Sequence, residues 1–351
     1  MRLYNALPMR SKVLAVGLVA LFPGFGCESR SCAVVVYTSV DDVFAKPIFE
    51  AFERETGVRI EAVFDAEATK VTGLYQRLLA ERSRPRADLF WSSEPSRTLS
   101  LEAAGALEPY VSPNAVDIPA EFKSLSGAWT GFAARARVIV YNRQRLPDAE
   151  RPRSIFDLTL ERFRNEAAIS DPLFGTMATH TGALWSRLGK EAVEAYFKGL
   201  VANGVKVLSG NSVVRDRVAS GELLCGLTDT DDAHVAILQG LPVGVVFPDQ
   251  EALFPGVAEP LGCFVFPNTV ALIRGGPHPE LARRLADHLL DRKTELRLAM
   301  GESAQIPVRS GVPHPAGLAL PAGLVRMKIK WPEVSRGVEE SLEPLRKLVV
   351  K

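Results

Sequence analysis

The side chains best suited to chemistry in this chain stand where apolar runs stop. Ser39 and Asp41 follow Ala33 to Tyr37, Asp65 follows Val58 to Phe64, and Ser92, Ser93 and Glu94 follow Ala87 to Trp91. Further on, Leu223 to Leu227 opens onto Thr228-Asp229-Thr230-Asp231-Asp232, and Ser209-Gly210-Asn211-Ser212 caps another helical pattern. The stretch Thr176 to Gly182 carries Thr176, Thr179 and Thr181 and reads as a hydroxyl-rich loop leading into a helix. Carboxylate oxygens suit hard cations. Hydroxyls and the open N–H groups of a helix start suit anions. Arg135 and Arg137 bring opposite charge; one is expected to reach a cleft and the other to form a structural ion pair. His180 stands alone, with no HxxxH spacing to make it a metal ligand.

Each acidic position also has a plainer reading. Asp41 and Glu94 suit a helix N-terminus without touching ligand, and Asp231-Asp232 can be a solvated capping turn. Paired carboxylates also suit acid–base chemistry or metal-assisted hydrolysis. No GxSxG, HExxH or P-loop pattern accompanies them, and the chain is read as a binder, not an enzyme.

The elements that must hold these residues alternate. Continuous apolar runs, as in strands buried on both faces, are followed by segments with helical spacing such as Phe44, Ile48, Phe49 and Phe52. A βαβα rhythm predicts α/β architecture with mostly parallel sheets, and such sheets bind ligands where strands end and helices begin. The length of 351 residues suits two lobes. We expect a two-lobed clamshell, with 33–134 plus about 262–310 as one lobe and 135–261 as the other. A C-terminal connector and helix take up 311–351. Arg137 to Tyr141 is a strand at a crossing between lobes. The runs Cys263 to Phe266 and Val270 to Ile273 mark the return.

Composition narrows the class further. The chain is 47% hydrophobic and 24% charged, with a net charge of +1, which gives no basic excess for nucleic acid. The first residues differ from the rest. Arg2, Arg10 and Lys12 precede the apolar run Val13 to Phe22, and Pro23-Gly24-Phe25-Gly26-Cys27 follows. This is the pattern of an export signal over 1–26, and Cys27 is the candidate lipidated cysteine of a lipoprotein. Removing the three basic residues takes the formal charge from +1 to −2. Cys225 and Cys263 lie in apolar runs. An oxidising compartment would permit a disulfide between them, but two independent buried thiols are the stronger expectation.

Several segments, in order, carry a resemblance. Val36-Tyr37-Thr38-Ser39-Val40-Asp41, Phe49 to Gly57, Ala87 to Trp91, Arg135 to Tyr141 and Gly210-Asn211-Ser212-Val213 are similar to the ferric-ion-binding branch of periplasmic substrate-binding proteins of ABC transporters. The likeness covers about residues 33 to 310. It implies clamshell capture, a permease as partner, a monomer, and ferric iron or another hard cation as cargo with a companion anion. Carried over position by position, the family's histidine ligand falls on Asp41 and its glutamate on Glu94, one residue from Ser93. Its paired tyrosines fall on Asp231 and Asp232. Its anion site falls on Thr179 to Ala183, with Asn211 and Arg135 or Arg137 nearby; Ser39 and Thr181 join the ligand-binding set. The missing tyrosines leave an oxygen-only acidic set, Asp41, Glu94, Asp231 and Asp232. Such a set calls for a cation or an ammonium group. An organic zwitterion such as an aminophosphonate would satisfy both halves, and a lipid-anchored sensor could use the same clamshell.

Overall fold

In the computed structural model, residues 33–65, 72–251, 259–314 and 321–349 are described. The signal-like segment and Cys27 lie outside the described residues.

In chain order the first part runs β1 (Ala33–Thr38), α1 (Asp42–Thr56), β2 (Arg59–Phe64), α2 (Thr72–Ala80), β3 (Leu89–Ser92), α3 (Ser96–Ala103) and β4 (Leu107–Glu108). The long strand β5 (Thr130–Asn142) follows, then β6 (Ala167–Ser170), α4 (Gly175–Leu188), α5 (Lys190–Ala202), β7 (Lys206–Leu208) and α6 (Asn211–Ala219). Next come β8 (Cys225–Asp229), α7 (Thr230–Leu238), β9 (Val243–Val246), β10 (Val265–Ile273), α8 (Pro279–Leu289), α9 (Arg292–Met300) and α10 (Trp331–Val349).

Two sheets result. In the first, β1 lies between β2 and β3, all parallel, and β10 runs antiparallel to β3, β4 and the first half of β5. In the second, β6 lies parallel between β7 and β8, and β5 runs antiparallel to β8 and β9. One strand serves both: β5 pairs with β10 up to Ala136 and with β8 from Arg137 onward. The two lobes are therefore joined by continuous backbone.

The sequence reads only Arg137 to Tyr141 of β5 as strand. The earlier half is rich in Ala and Gly, which carry little strand preference, and tertiary pairing overrides that. Val265 and Phe266 of the first run join 270–273 in one strand, β10, with a register shift at Pro267/Asn268, while Cys263 lies before it and bridges Arg326. Opposite the shift Ala133 takes φ 45°. Its N–H donates to Glu295 Oε1 at 3.0 Å, and its carbonyl accepts from Asn268 Nδ2, so the kink is held by buried partners.

The Thr176–Gly182 stretch is helix, not loop, as part of α4. Thr181 Oγ1 donates to Met177 O at 2.9 Å and Thr179 Oγ1 approaches Gly175 O at 3.4 Å, so both hydroxyls can be satisfied inside a helix. Cys225 and Cys263 are free and buried, and burial pushes both thiols above their ordinary pKa.

Helix α10 locks onto α4 through a pair of glycines. A Cβ on Gly182 would stand 2.5 Å from Val338 Cγ2, and one on Gly337 would stand 2.5 Å from Gly182 O. No larger residue fits either position without moving a backbone. Trp185 Nε1 donates to Glu340 Oε2 at 3.1 Å on the second-sheet side. Trp331 Nε1 donates to Glu121 O at 2.8 Å on the first-sheet side. The C-terminal helix is thus tied to both lobes.

Candidate solute-binding cleft

Five helix N-termini turn toward one cleft: those of α1 and α3 from the first sheet and of α4, α6 and α7 from the second. Each follows a strand, so the topology itself puts loop residues there. The cleft measures about 960 Å³. Its lining includes Asp41, Ser93, Glu94, Arg135, Thr176, Asn211, Asp229, Asp231 and Asp232.

At its base lies a dry charge network. Arg137, wholly buried, donates from Nη1 to Asp229 Oδ1 at 2.7 Å and to Asn211 Oδ1 at 2.9 Å. The other oxygen of Asp229 accepts from Thr176 Oγ1 at 2.9 Å and from Asn211 Nδ2 at 2.8 Å. A buried ion pair depends on hydrogen bonds to its remaining polar atoms, and here both oxygens of Asp229 have partners while Arg137 Nε has none. Asn211 is thereby oriented at the first position of α6. Burial, reinforced by Arg137, holds His180 well below the ordinary imidazole pKa, and its ring stacks on Phe264 with centroids 5.1 Å apart. It is a core residue.

Above this base lie Asp231 and Asp232 in the first turn of α7. Ligand oxygens of Asp229, Asp231 and Asp232 come within 4.8 Å of one another. Arg135 Nη1 donates to Asp231 Oδ2 at 3.0 Å and stands 3.7 Å from Asp229 Oδ2. Its other terminal nitrogen donates to the carbonyl of Ser93 on the first lobe, and its guanidinium lies 4.9 Å from the Phe266 ring centroid. Burial opposes the charge of Arg135, but Asp231 and Asp229 outweigh it and push its pKa further up. Arg135 and Arg137 stand two apart on β5 and so share one face. Both reach Asp229; Arg137 forms the buried structural pair and Arg135 lines the cleft.

Asp232 meets Arg215 Nη1 at 3.6 Å and accepts from Thr228 Oγ1 at 3.3 Å. Burial, then the neighbouring charges of Asp231 and Asp229, raise its pKa well above the carboxylate range in spite of Arg215. The resident arginines do not fully quench this acidic group.

The other expected site residues are placed as follows. Asp41 lines the cleft as the N-cap of α1, and its charge acts on Arg135. Glu94 also lines the cleft, but its carboxylate turns into the start of α3. It accepts from Ser96 N at 2.7 Å and Ser96 Oγ at 2.8 Å, and it accepts from Thr179 Oγ1 across the lobes. Ser39 is buried and accepts from Ser93 N at 2.9 Å, fastening the β1 and β3 loops together. Thr179 and Thr181 are buried within α4. The structure thus groups Asp231 and Asp232 with Asp229, sets Asp41 on the opposite lobe of the same cleft, and commits the carboxylate of Glu94 to helix capping.

Of the five helix starts, α1 and α7 carry acidic residues in the first turn and α3 is closed by the Glu94 carboxylate, whereas α4 and α6 have neither an acidic first turn nor a side-chain cap. Their open N–H groups keep the positive end of the helix dipole available to an anion. Gly175 and Thr176 at one, and Asn211 and Ser212 at the other, line the cleft beside the aspartates. Gly175 has φ 54°, where a side chain would add strain.

Sequence reasoning leaves Asp229 and Arg215 out of its site. The cue for Asp229 is its position as the last residue of a buried strand. Arg215 carries no cue, since only the packing of α6 against α7 brings it to Asp232.

Two α/β lobes joined by a shared strand, with a polar cleft fed by helix N-termini, define a solute-capturing clamshell. The family of bacterial extracellular solute-binding proteins matches residues 85–332, and the chain belongs to it. An Fe(3+)-binding periplasmic protein of Serratia marcescens is 25% identical over 62% of this chain, and the match spans 65% of that relative, just under two thirds of its length. A putative 2-aminoethylphosphonate-binding periplasmic protein of Salmonella typhi is 23% identical over 92% of this chain and 95% of its own. The structure of iron-bound HitA from Pseudomonas aeruginosa superposes with a TM-score of 0.79 at 21% identity, covering 91% of this chain and 100% of that one.

Proposed function

We propose that this protein is the extracytoplasmic receptor of an ABC uptake system and that its cleft captures a hard cation, ferric iron foremost, together with a companion anion. One observation carries the reading: the Asp229–Asp231–Asp232 group adjoins the two acid-free helix starts of α4 and α6. Oxygen-only donors suit a hard cation, and the helix starts suit the anion that completes its coordination. Asp41, on the facing lobe, is positioned to join the cation on closure. The relative from Serratia supports the same cargo. Capture here means closure of the lobes around the solute, expulsion of water and delivery to a membrane permease, with no turnover. Export through the 1–26 signal and anchoring through Cys27 belong to this reading.

A second reading has its own observation. Asp231 pairs with Arg135 and Asp232 with Arg215, so the net charge offered to a cation is small. An organic zwitterion, with its ammonium at the aspartates and its phosphonate at the helix starts, needs less than a trivalent ion does.

Calorimetric titration of the metal-stripped mature protein separates the two readings. Ferric iron delivered as a weak chelate with phosphate should bind one to one, and Asp231→Ala/Asp232→Ala should abolish binding without loss of fold. Binding of 2-aminoethylphosphonate with no iron uptake would replace the first reading by the second. Binding of neither, or full binding by the double variant, overturns the site.

A further inference from the structure

Phe174 breaks two local rules at once. It occupies the N-cap of α4, where a side chain that accepts hydrogen bonds is favoured, and it provides none. Its side chain is 50% exposed, whereas every other Phe, Tyr and Trp among the described residues is buried or half-buried. A large ring left in water, the one aromatic in a cleft whose lining is otherwise polar, charged or glycine apart from Val213, gains nothing in the isolated protein. It is also held in place. Pro172 and Leu173 before it are buried, Asp171 Oδ1 accepts from Leu173 N at 2.9 Å, and Asp171 O accepts from Phe174 N at 3.3 Å. The ring is therefore presented by a built turn, directly before Gly175 and Thr176 at the helix start that favours an anion.

We propose that Phe174 is a specificity-determining contact for the carbon skeleton of the bound solute, so that the anion seated at α4 is organic: a small carboxylate accompanying the cation, or the phosphonate of a zwitterion, rather than inorganic phosphate. The inference rests on the cleft reading above. Its physical basis is that an anion on the N–H groups of Gly175 and Thr176 brings its substituent beside the ring. Covering the exposed half of a phenylalanine favours that ligand by roughly tenfold or more over one with no carbon to offer.

The test compares wild type with Phe174→Ala by calorimetric titration, using ferric citrate, ferric iron with inorganic phosphate, and 2-aminoethylphosphonate. Thermal unfolding should first show the variant folded, as expected for an exposed position. The expected result is a wild-type preference for an organic probe over the phosphate form, reduced about tenfold in Phe174→Ala. An unchanged preference overturns the proposal. So does an equal loss for all probes, which would place the ring against the opposite lobe on closure. Iron binding that stays sensitive to Asp231 and Asp232 but shows no organic preference overturns this inference alone. Binding of no probe overturns the cleft reading with it.

Discussion

Replacing Asp232 by Asn is expected to stabilise the ligand-free protein at neutral pH and weaken its hold on a cation. The three carboxylates lie within 4.8 Å of one another. At an effective dielectric of about 20, each like-charge contact at that distance costs about 3.5 kcal/mol. Arg215, at 3.6 Å from Asp232, returns about 4.6 kcal/mol on the same scale. On these contacts alone Asp232 is left with a deficit of about 2 kcal/mol, which burial enlarges and the more distant Arg135 reduces. Folding raises the pKa of this acid, so the native state binds its proton more tightly than the unfolded chain does. Its contribution is fully favourable below about pH 4 and is lost as pH rises through the folded pKa. Asn keeps the acceptor for Thr228 and removes the charge. Urea and thermal unfolding of metal-stripped wild type and Asp232→Asn at pH 4 and pH 8 provide the assay. The variant should gain about 2 kcal/mol, or about 3 °C, at pH 8 and almost nothing at pH 4. A variant less stable than wild type at pH 8 would mean that Arg215 outweighs the repulsion, and the case for an unquenched acidic site would collapse.

Asp231→Asn should change stability less, because Arg135 at 3.0 Å returns about 5.5 kcal/mol against the same two like-charge contacts. A gain of about 1 kcal/mol or less is expected in denaturant unfolding at pH 7, and a loss as large as about 3 kcal/mol would show that Arg135 depends on this one partner even with Asp229 at 3.7 Å. Asp249 is buried against Ser154 Oγ at 2.5 Å, and burial pushes its pKa up to about 7. It should cost the wild type about 4 kcal/mol as pH rises from 4 through 7, a slope that Asp249→Asn should flatten in pH-dependent unfolding. Gly182→Ala would place a methyl 2.5 Å from Val338 Cγ2 and 2.6 Å from Val334 O. A loss of about 1–3 kcal/mol should follow, with α10 cleaved faster in limited proteolysis. Wild-type protection would show that α10 does not depend on this contact.

How much of this the sequence discloses depends on how local each cause is. Strands such as Ala33–Thr38 and Leu89–Ser92 are continuous apolar runs, and their ends carry the polar residues that face the cleft, so the architecture and the cleft edge are both legible. The Ala- and Gly-rich half of β5 is not, because its strand character comes from β10. Side-chain direction is harder still. Glu94 stands in the right loop, yet its carboxylate closes the N-terminus of α3, and nothing in its neighbours separates that outcome from facing the ligand. Thr179 and Thr181 look like a hydroxyl loop until helix geometry sends Thr181 back to its own backbone and Thr179 toward Glu94. Arg215 needs two helices to pack before it meets Asp232.

On the proposed reading the cleft also links charge to motion. Arg135 sits where β5 passes from one sheet to the other, and it holds both lobes: its guanidinium donates to Ser93 O on the first and pairs with Asp231 at 3.0 Å on the second. A cation that takes up Asp231 competes for that pair and frees the guanidinium for the companion anion at the neighbouring helix starts. The same arginine therefore gives up a lobe-bridging contact when only half the solute is present and regains one when both halves are. Closure then favours a ligand that supplies positive and negative centres together, whether as ion and counter-anion or as one zwitterion. On that reading a bare cation would draw Asp231 from Arg135 and leave the guanidinium with only Asp229 at 3.7 Å and the Ser93 carbonyl, in a cleft that closure makes drier, where an under-paired charge is costly.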